Sequence, residues 1–142
     1  MQISTILATK GSQVETIQPG QTVREAIKQL VDQRIGAVVV VDAAGKPIGI
    51  LSERDIIRAA AQNEALFDAA VSTIMTSDVI IARPGDDVRA VEKTMTERRF
   101  RHLPVMDRGE LVGIISIGDV VKAALDAYEG EIETLQTRVE KG

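Results

Sequence analysis

Cysteine and tryptophan are absent from this 142-residue chain, histidine occurs once, and the aromatic residues make up only 2% of it. Without cysteine there is no disulfide, no thiolate nucleophile and no sulfur-ligated metal. A single histidine leaves metal binding to carboxylates, and these show no ligand spacing. The scarcity of aromatics removes the stacking platform of a single-strand nucleic-acid binder and leaves the core to Val, Ile, Leu, Ala and Met. A net charge of −4 lacks the basic footprint that a phosphate backbone requires, so no nucleic-acid partner is expected. No apolar run approaches the ~20 residues of a membrane helix. The stretch Met1 to Leu7 lacks the basic region and sustained apolar run of a signal peptide. The expectation is a soluble, cytoplasmic chain that does not engage the membrane.

What is present is a duplication. Gly49-Ile50-Leu51-Ser52-Glu53-Arg54-Asp55 returns as Gly113-Ile114-Ile115-Ser116-Ile117-Gly118-Asp119. Pro19 and Pro84 lie 65 residues apart, as do Asp42 and Asp107, whereas Gly49/Gly113 and Asp55/Asp119 lie 64 apart. One residue has therefore been lost in the second hairpin turn, where a surface deletion costs least.

In the first copy a short strand over Val14 to Gln18 ends at the turn pair Pro19-Gly20. Thr22 reads as a helix N-cap with Glu25 completing a capping box. Val23, Ala26, Ile27, Leu30 and Val31 follow at helical spacing to about Gln33. Ile35 to Val41 is β-branched and apolar on both faces, as suits a strand covered on two sides. A turn at Asp42 to Lys46 leads to the return strand Pro47 to Leu51. Ser52 caps a helix from Glu53. The second copy repeats this with a strand at Val79 to Ala82, a helix capped by Asp87, strands at His102 to Met106 and Leu111 to Ile115, and a helix near Asp119.

Each copy thus reads strand–helix–strand–strand–helix, an α/β (α+β) unit too small to bury a two-sided sheet alone, so two must stack. The division expected is a first unit over 1–63, a packed helical connector over 64–75, a second unit over 76–127 and a C-terminal helical extension over 128–142. In the tail, Val121, Leu125, Tyr128, Ile132, Leu135 and Val139 alternate at spacings of 4 and 3. That is an a/d heptad pattern, either capping its own domain or forming a seam between subunits.

The Ser/Asp pairs admit two readings. A carboxylate just inside a helix N-terminus can accept the two hydroxyls of a ribose diol, while the Ser hydroxyl and free backbone N–H groups suit a phosphate. Equally, Ser52 and Ser116 can be plain N-caps, with Asp55 and Asp119 complementing the helix dipole. A second constellation, Arg98-Arg99-Phe100-Arg101-His102, carries three arginines and the only histidine into a strand. Arg98 and Arg99 suit a helix C-terminus; Arg101 and His102, at the mouth of a buried strand, can supply cations to a nucleotide phosphate. Neither Gly-rich sentence has phosphate-loop or dinucleotide spacing, and no Ser and Asp orient the histidine for nucleophilic work. No constellation argues for turnover.

Taken together, Pro-Gly before a helix, Gly36-Ala37-Val38-Val39-Val40 against Arg101-His102-Leu103-Pro104-Val105, the two Gly-Ile-hydrophobic-Ser-x-x-Asp sentences and the lead-in Ile74-Met75-Thr76 resemble a tandem pair of CBS domains over Ile3 to Ala127. The resemblance implies two pseudo-twofold βαββα units packed sheet to sheet, with two clefts between them. It implies an adenine nucleotide as ligand, AMP first, with ATP, ADP or NAD(H) as alternatives. Asp55 with Ser52, and Asp119 with Ser116, would hold the ribose, and Arg54 or Gly118 would face the cleft. Adenine would pack on Thr16-Ile17 or Ile80-Ile81 and on Ile35-Gly36-Ala37 or Phe100-Arg101-His102, beside Pro104, with Arg101 and His102 reaching phosphate. The first unit departs from the family: Val39 replaces the usual proline and Gly36-Ala37 the basic pair. The resemblance further implies a homodimer acting on an unidentified regulated protein. A homodimerisation module with vestigial clefts is the alternative.

Overall fold

The computed structural model describes residues 1–11 and 13–127. Helix α1 (Ile3–Lys10) precedes strand β1 (Thr16–Ile17), helix α2 (Val23–Gln33), strands β2 (Ala37–Val41) and β3 (Pro47–Ser52) and helix α3 (Glu53–Ala60). Two 3₁₀ turns, Leu66–Asp68 and Val71–Thr73, lead to helix α4 (Val88–Arg98) and strands β4 (His102–Asp107) and β5 (Glu110–Ser116). Residues 117–127 are helical and form α5. The tail positions Tyr128, Ile132, Leu135 and Val139 of the heptad pattern lie outside the described residues.

Local chemistry explains the boundaries. The Thr22 hydroxyl accepts the Glu25 N–H at 3.2 Å and starts α2, and the Asp87 carboxylate accepts the Ala90 N–H at 3.2 Å and starts α4. Both helices end on an arginine in the left-handed region, Arg34 at φ 55° and Arg99 at φ 60°, a conformation that costs a non-glycine residue roughly 1–2 kcal/mol.

In the first unit β1 pairs parallel with β2, Thr16 opposite Val39, and β2 pairs antiparallel with β3, Val39 opposite Ile50. The second unit keeps the hairpin, Pro104 opposite Ile114, but its expected strand over Val79 to Ala82 shrinks to one parallel bridge between Ala82 and Val105. The reason is chemical. The Val39 N–H donates to the Glu15 carbonyl at 3.2 Å, and the matching residue in the second unit is Pro104, which has no N–H to give. Only the bonds from the Ala82 N–H to the Pro104 carbonyl and from the Met106 N–H to the Ala82 carbonyl, each 2.9 Å, survive.

Val38, Val39 and Val40 are all fully buried, so both faces of β2 are covered, as its unbroken apolar run anticipates. Two cores result. One holds Ile17, Ala26, Leu30, Val38, Val40, Leu51 and Val71; the other holds Val88, Val91, Met95, Leu103, Val105, Ile115 and Val120 with Ile3, Ile6 and Leu7. Among the described residues no aromatic ring is fully buried.

The lead-in segments are exchanged. Helix α1, which the periodicity argument leaves unassigned, packs into the second unit, and Val71 from the connector packs into the first. The backbone bonds match pair by pair: Ile3 N–H to Asp86 carbonyl against Val71 N–H to Gln21 carbonyl, Ser4 to Pro84 against Ser72 to Pro19, and Val88 to Met1 against Val23 to Ala69. These bonds also explain why the expected helical connector over 64–75 takes the form of two short 3₁₀ turns. Tied edge-on to the 19–23 turn, Ala69 and Ala70 adopt extended backbone, with ψ of 151° and 143°.

Candidate functional site

Ser52 ends β3 and caps α3. Its hydroxyl accepts the Asp55 N–H at 3.3 Å, while Asp55 Oδ2 accepts the Ser52 N–H at 2.9 Å and lies 3.0 Å from the Ser52 hydroxyl. This is a reciprocal capping box. Ser116 and Asp119 repeat it at the start of α5, with the Ser116 N–H donating to Asp119 Oδ2 at 2.8 Å and the Asp119 N–H to the Ser116 hydroxyl at 3.1 Å. The cap reading of both pairs therefore holds. It leaves each carboxylate with acceptor capacity to spare, since a carboxylate offers about four lone-pair sites.

Beside Asp55 lies a cavity of about 140 Å³. Ser52, Arg54, Asp55 and Arg58 form its α3 wall, Thr76, Asp78 and Val79 enter from the approach to the second unit, and Arg99, Phe100, Arg101 and His102 close it from the mouth of β4. The left-handed turn at Arg99 sends the chain from α4 back toward Asp55. A neighbouring cavity of about 260 Å³ shares Ser52, Arg54, Arg101 and His102 and adds Gly36 and Ser116. Arg54, Arg101 and His102 thus line both cavities.

His102 pairs with Ser116 across the β4–β5 ladder. Burial lowers its pKa, the Lys10 and Arg101 charges lower it further, and the Asp119 and Asp55 carboxylates oppose them. The shift favours the neutral imidazole, which can both donate and accept. At Asp119, burial disfavours the ionised form, but the hydrogen bond from the Lys10 ammonium and those from Ser116 outweigh it and hold the carboxyl below its ordinary value.

Of the sequence-derived candidates, Ser52, Arg54, Asp55, Phe100, Arg101 and His102 converge on one cavity, and Gly36 and Ser116 on its neighbour. The others lie outside these two spaces. Ile17 and Ala37 are core residues, Pro104 is buried within β4, and Ile35 and Ile80 pack against the two cores. Thr16, Ile81 and Gly118 are exposed. Asp119 lies in a separate groove between α1 and α5 with Thr9, Lys10 and Lys122. Sequence reasoning passed over Arg58, Thr76, Asp78, Val79 and Lys10. The signal available for the last was the duplication itself: the lead-ins match at a constant offset of 68, which sets Lys10 against Asp78 and Ala8 against Thr76.

Among the described residues no three His, Asp or Glu side chains are placed to share a metal ion, and no helix is long and apolar enough to cross a membrane.

The family model for the CBS domain matches the chain twice, over residues 6–62 and 71–126. The chain belongs to the CBS-domain family. This CBS pair is similar in structure to the CBS-domain containing protein ATU1752 from Agrobacterium tumefaciens, with a TM-score of 0.82 and 42% identity over 87% of this chain and 99% of that one. It is 32% identical over 119 residues to the CBS domain-containing protein YhcV of Bacillus subtilis, covering 83% of this chain and 84% of its relative. The CBS domain pair of protein MJ0100, solved in complex with 5′-methylthioadenosine and S-adenosyl-L-methionine, resembles it with a TM-score of 0.79 and 28% identity over 89% of this chain and 98% of that one. The matched regions take in both Ser/Asp boxes and the mouth of β4.

Proposed function

We propose that this CBS pair is a non-catalytic regulatory module that senses an adenine nucleotide, AMP before ATP, ADP or NAD(H). The observation that carries the reading is the Asp55 cavity, which sets a carboxylate at a helix N-terminus opposite Arg99, Arg101 and His102, with Arg54 and Arg58 alongside. A carboxylate recognises a vicinal diol, guanidinium groups recognise phosphate, and the free N–H groups of a helix's first turn favour an anion. A ribose 5′-phosphate presents both a diol and a phosphate, and the adenosine-based ligands of the MJ0100 pair support the base. Arg101 and His102 reach the phosphate in this reading, and Ser52 and Asp55 the sugar. Asp119 and Ser116 serve the second cleft, with Gly118 beside them. In this reading Phe100 and, in the neighbouring cavity, Gly36 bound the adenine, whereas Thr16, Ile17, Ile35, Ala37, Ile80, Ile81 and Pro104 lie outside both cavities.

Binding acts by shifting the population of unit–unit arrangements, and only to the extent that the ligand distinguishes them. Calorimetric titration with AMP tests the reading. Saturable binding that Asp55→Ala abolishes supports it, and no heat with any adenine compound in the wild-type protein sinks it.

A second reading, a homodimerisation module, rests on a different observation. Ile57 on α3 and its counterpart Val121 on α5 are 70% and 40% exposed, and Leu125 is 55% exposed. Apolar side chains on both C-terminal helices suit a second copy of the chain. Sedimentation of the wild type and of Ile57→Asp decides whether these helices associate. The two readings are compatible.

A further inference from the structure

The two Ser/Asp boxes are near-copies, but the lead-in segments bring different groups to them. At the first box, Asp55 Oδ1 accepts the Thr76 hydroxyl at 3.2 Å, and Oδ2 meets only the Ser52 hydroxyl and N–H. At the second, the Lys10 ammonium of α1 donates to Asp119 Oδ2 at 2.6 Å and to the Ile114 carbonyl at 2.9 Å. Asp119 Oδ2 also accepts the Ser116 N–H, so both of its lone-pair sites are taken. Position by position, Thr76 matches Ala8 and Lys10 matches Asp78. The duplication has kept the carboxylate and changed its partner.

The change matters for any ligand that offers a diol, because two hydroxyls in register need a free site on each carboxylate oxygen. Both boxes keep a serine N–H on Oδ2; at Asp55 the other competing donors are hydroxyls, which rotate away at little cost. At Asp119 the competitor is an ammonium in a charge-assisted bond, roughly twice as strong as a neutral one. It is anchored by a second bond to the β5 backbone.

We infer that Lys10 is the residue that makes the two clefts unequal: it latches Asp119, so that ligand fills the Asp55 cleft first and enters the Asp119 cleft only by displacing the lysine. This rests on the adenine-nucleotide reading above and adds to it the order of filling. A contact made by the lead-in helix, outside the repeated Ser-x-x-Asp sentence, thereby sets the stoichiometry.

AMP titrations of the wild type, Lys10→Met, Lys10→Arg, Asp55→Ala and the Lys10→Met/Asp55→Ala double variant test it, with circular dichroism to verify folding. The wild type is expected to take up one equivalent tightly, and Asp55→Ala to lose it. Lys10→Met should gain a second site at least about tenfold tighter than any second site of the wild type, and the double variant should retain that site alone. Lys10→Arg, which keeps the latch, should behave as wild type. If Lys10→Met proves unstable, Lys10→Gln keeps a neutral donor for the Ile114 carbonyl and serves in its place. Two equal sites in the wild type, or a Lys10→Met titration identical to it, overturns the latch while leaving the nucleotide reading standing. Absence of AMP binding in every variant overturns both.

Discussion

Met75 lies against Gly49 so closely that a Cβ at the glycine would sit 2.5 Å from the Met75 sulfur and 3.0 Å from its Cγ. Gly113 stands in the same relation to Leu7, whose Cδ2 would be 2.6 Å from the added carbon. The glycine that opens each Gly-Ile-hydrophobic-Ser sentence is thus the seat of the lead-in side chain from the other half. Gly49→Ala is expected to cost about 1–3 kcal/mol through overpacking. Adding Met75→Ala should cost less than the two single changes summed, since the residues share one space. Urea unfolding of the two single variants and the double variant measures the coupling.

The caps carry stability apart from any ligand. Ser52→Ala removes the acceptor for the Asp55 N–H and should lower stability by about 0.5–2 kcal/mol. Ser52→Gly, which tolerates the cap backbone, should lower it less. Thermal unfolding without nucleotide reads this directly, and an unchanged stability in Ser52→Ala would remove the side-chain cap as a contributor.

His102 sets a pH window. Its pKa in the folded protein lies below the ordinary value, so between that lowered value and about 6.5 the unfolded chain binds the proton and the native one does not. Stability should be constant above about pH 7 and fall as pH drops through 6.5. His102→Asn should flatten this slope. Asp119 acts in a lower window: with its folded pKa depressed, its contribution is present above about pH 4 and is lost as pH falls further. Denaturant midpoints between pH 3 and 8 separate the two.

Arg101 separates phosphate recognition from nucleoside recognition. Arg101→Ala should weaken AMP by roughly 10–100-fold, the range of one charged hydrogen bond, and leave adenosine nearly unchanged. Calorimetry with both ligands is the measurement. Parallel losses for AMP and adenosine would assign Arg101 to the base or the sugar instead.

Much of this architecture was legible because the chain states it twice. The valine run of β2 announced a strand buried on both faces, and Thr22, Asp87, Ser52 and Ser116 announced their helices. What escaped lay between the copies. Ala69 and Ala70 carry a helical stripe, but their backbone is committed to the 19–23 turn, a tertiary demand that overrides local propensity. The second parallel strand failed because Pro104 cannot donate, and that follows from the pairing partner, not from the strand's own residues. At the site, Ser52, Asp55, Arg101 and His102 could be named because their residue types carry chemistry at a strand-to-helix turn. Lys10 could not be named from its own neighbourhood, because an isolated lysine 109 residues from Asp119 gives no local sign of where it will reach; only the match between the two lead-ins hints at it.

The crossed lead-ins have a consequence for taking the protein apart. Each half carries the plug for its sibling's groove: Ile3 and Leu7 travel with residues 1–63 but complete the second core, and Val71 travels with the second half but completes the first. A half expressed alone would leave its own groove open while holding out an arm shaped for a near-identical one. Two such halves would satisfy each other by trading arms, the low-cost route by which identical elements are swapped between protomers. A chain built this way reads as an arm-exchanged dimer whose two copies were later spliced end to end.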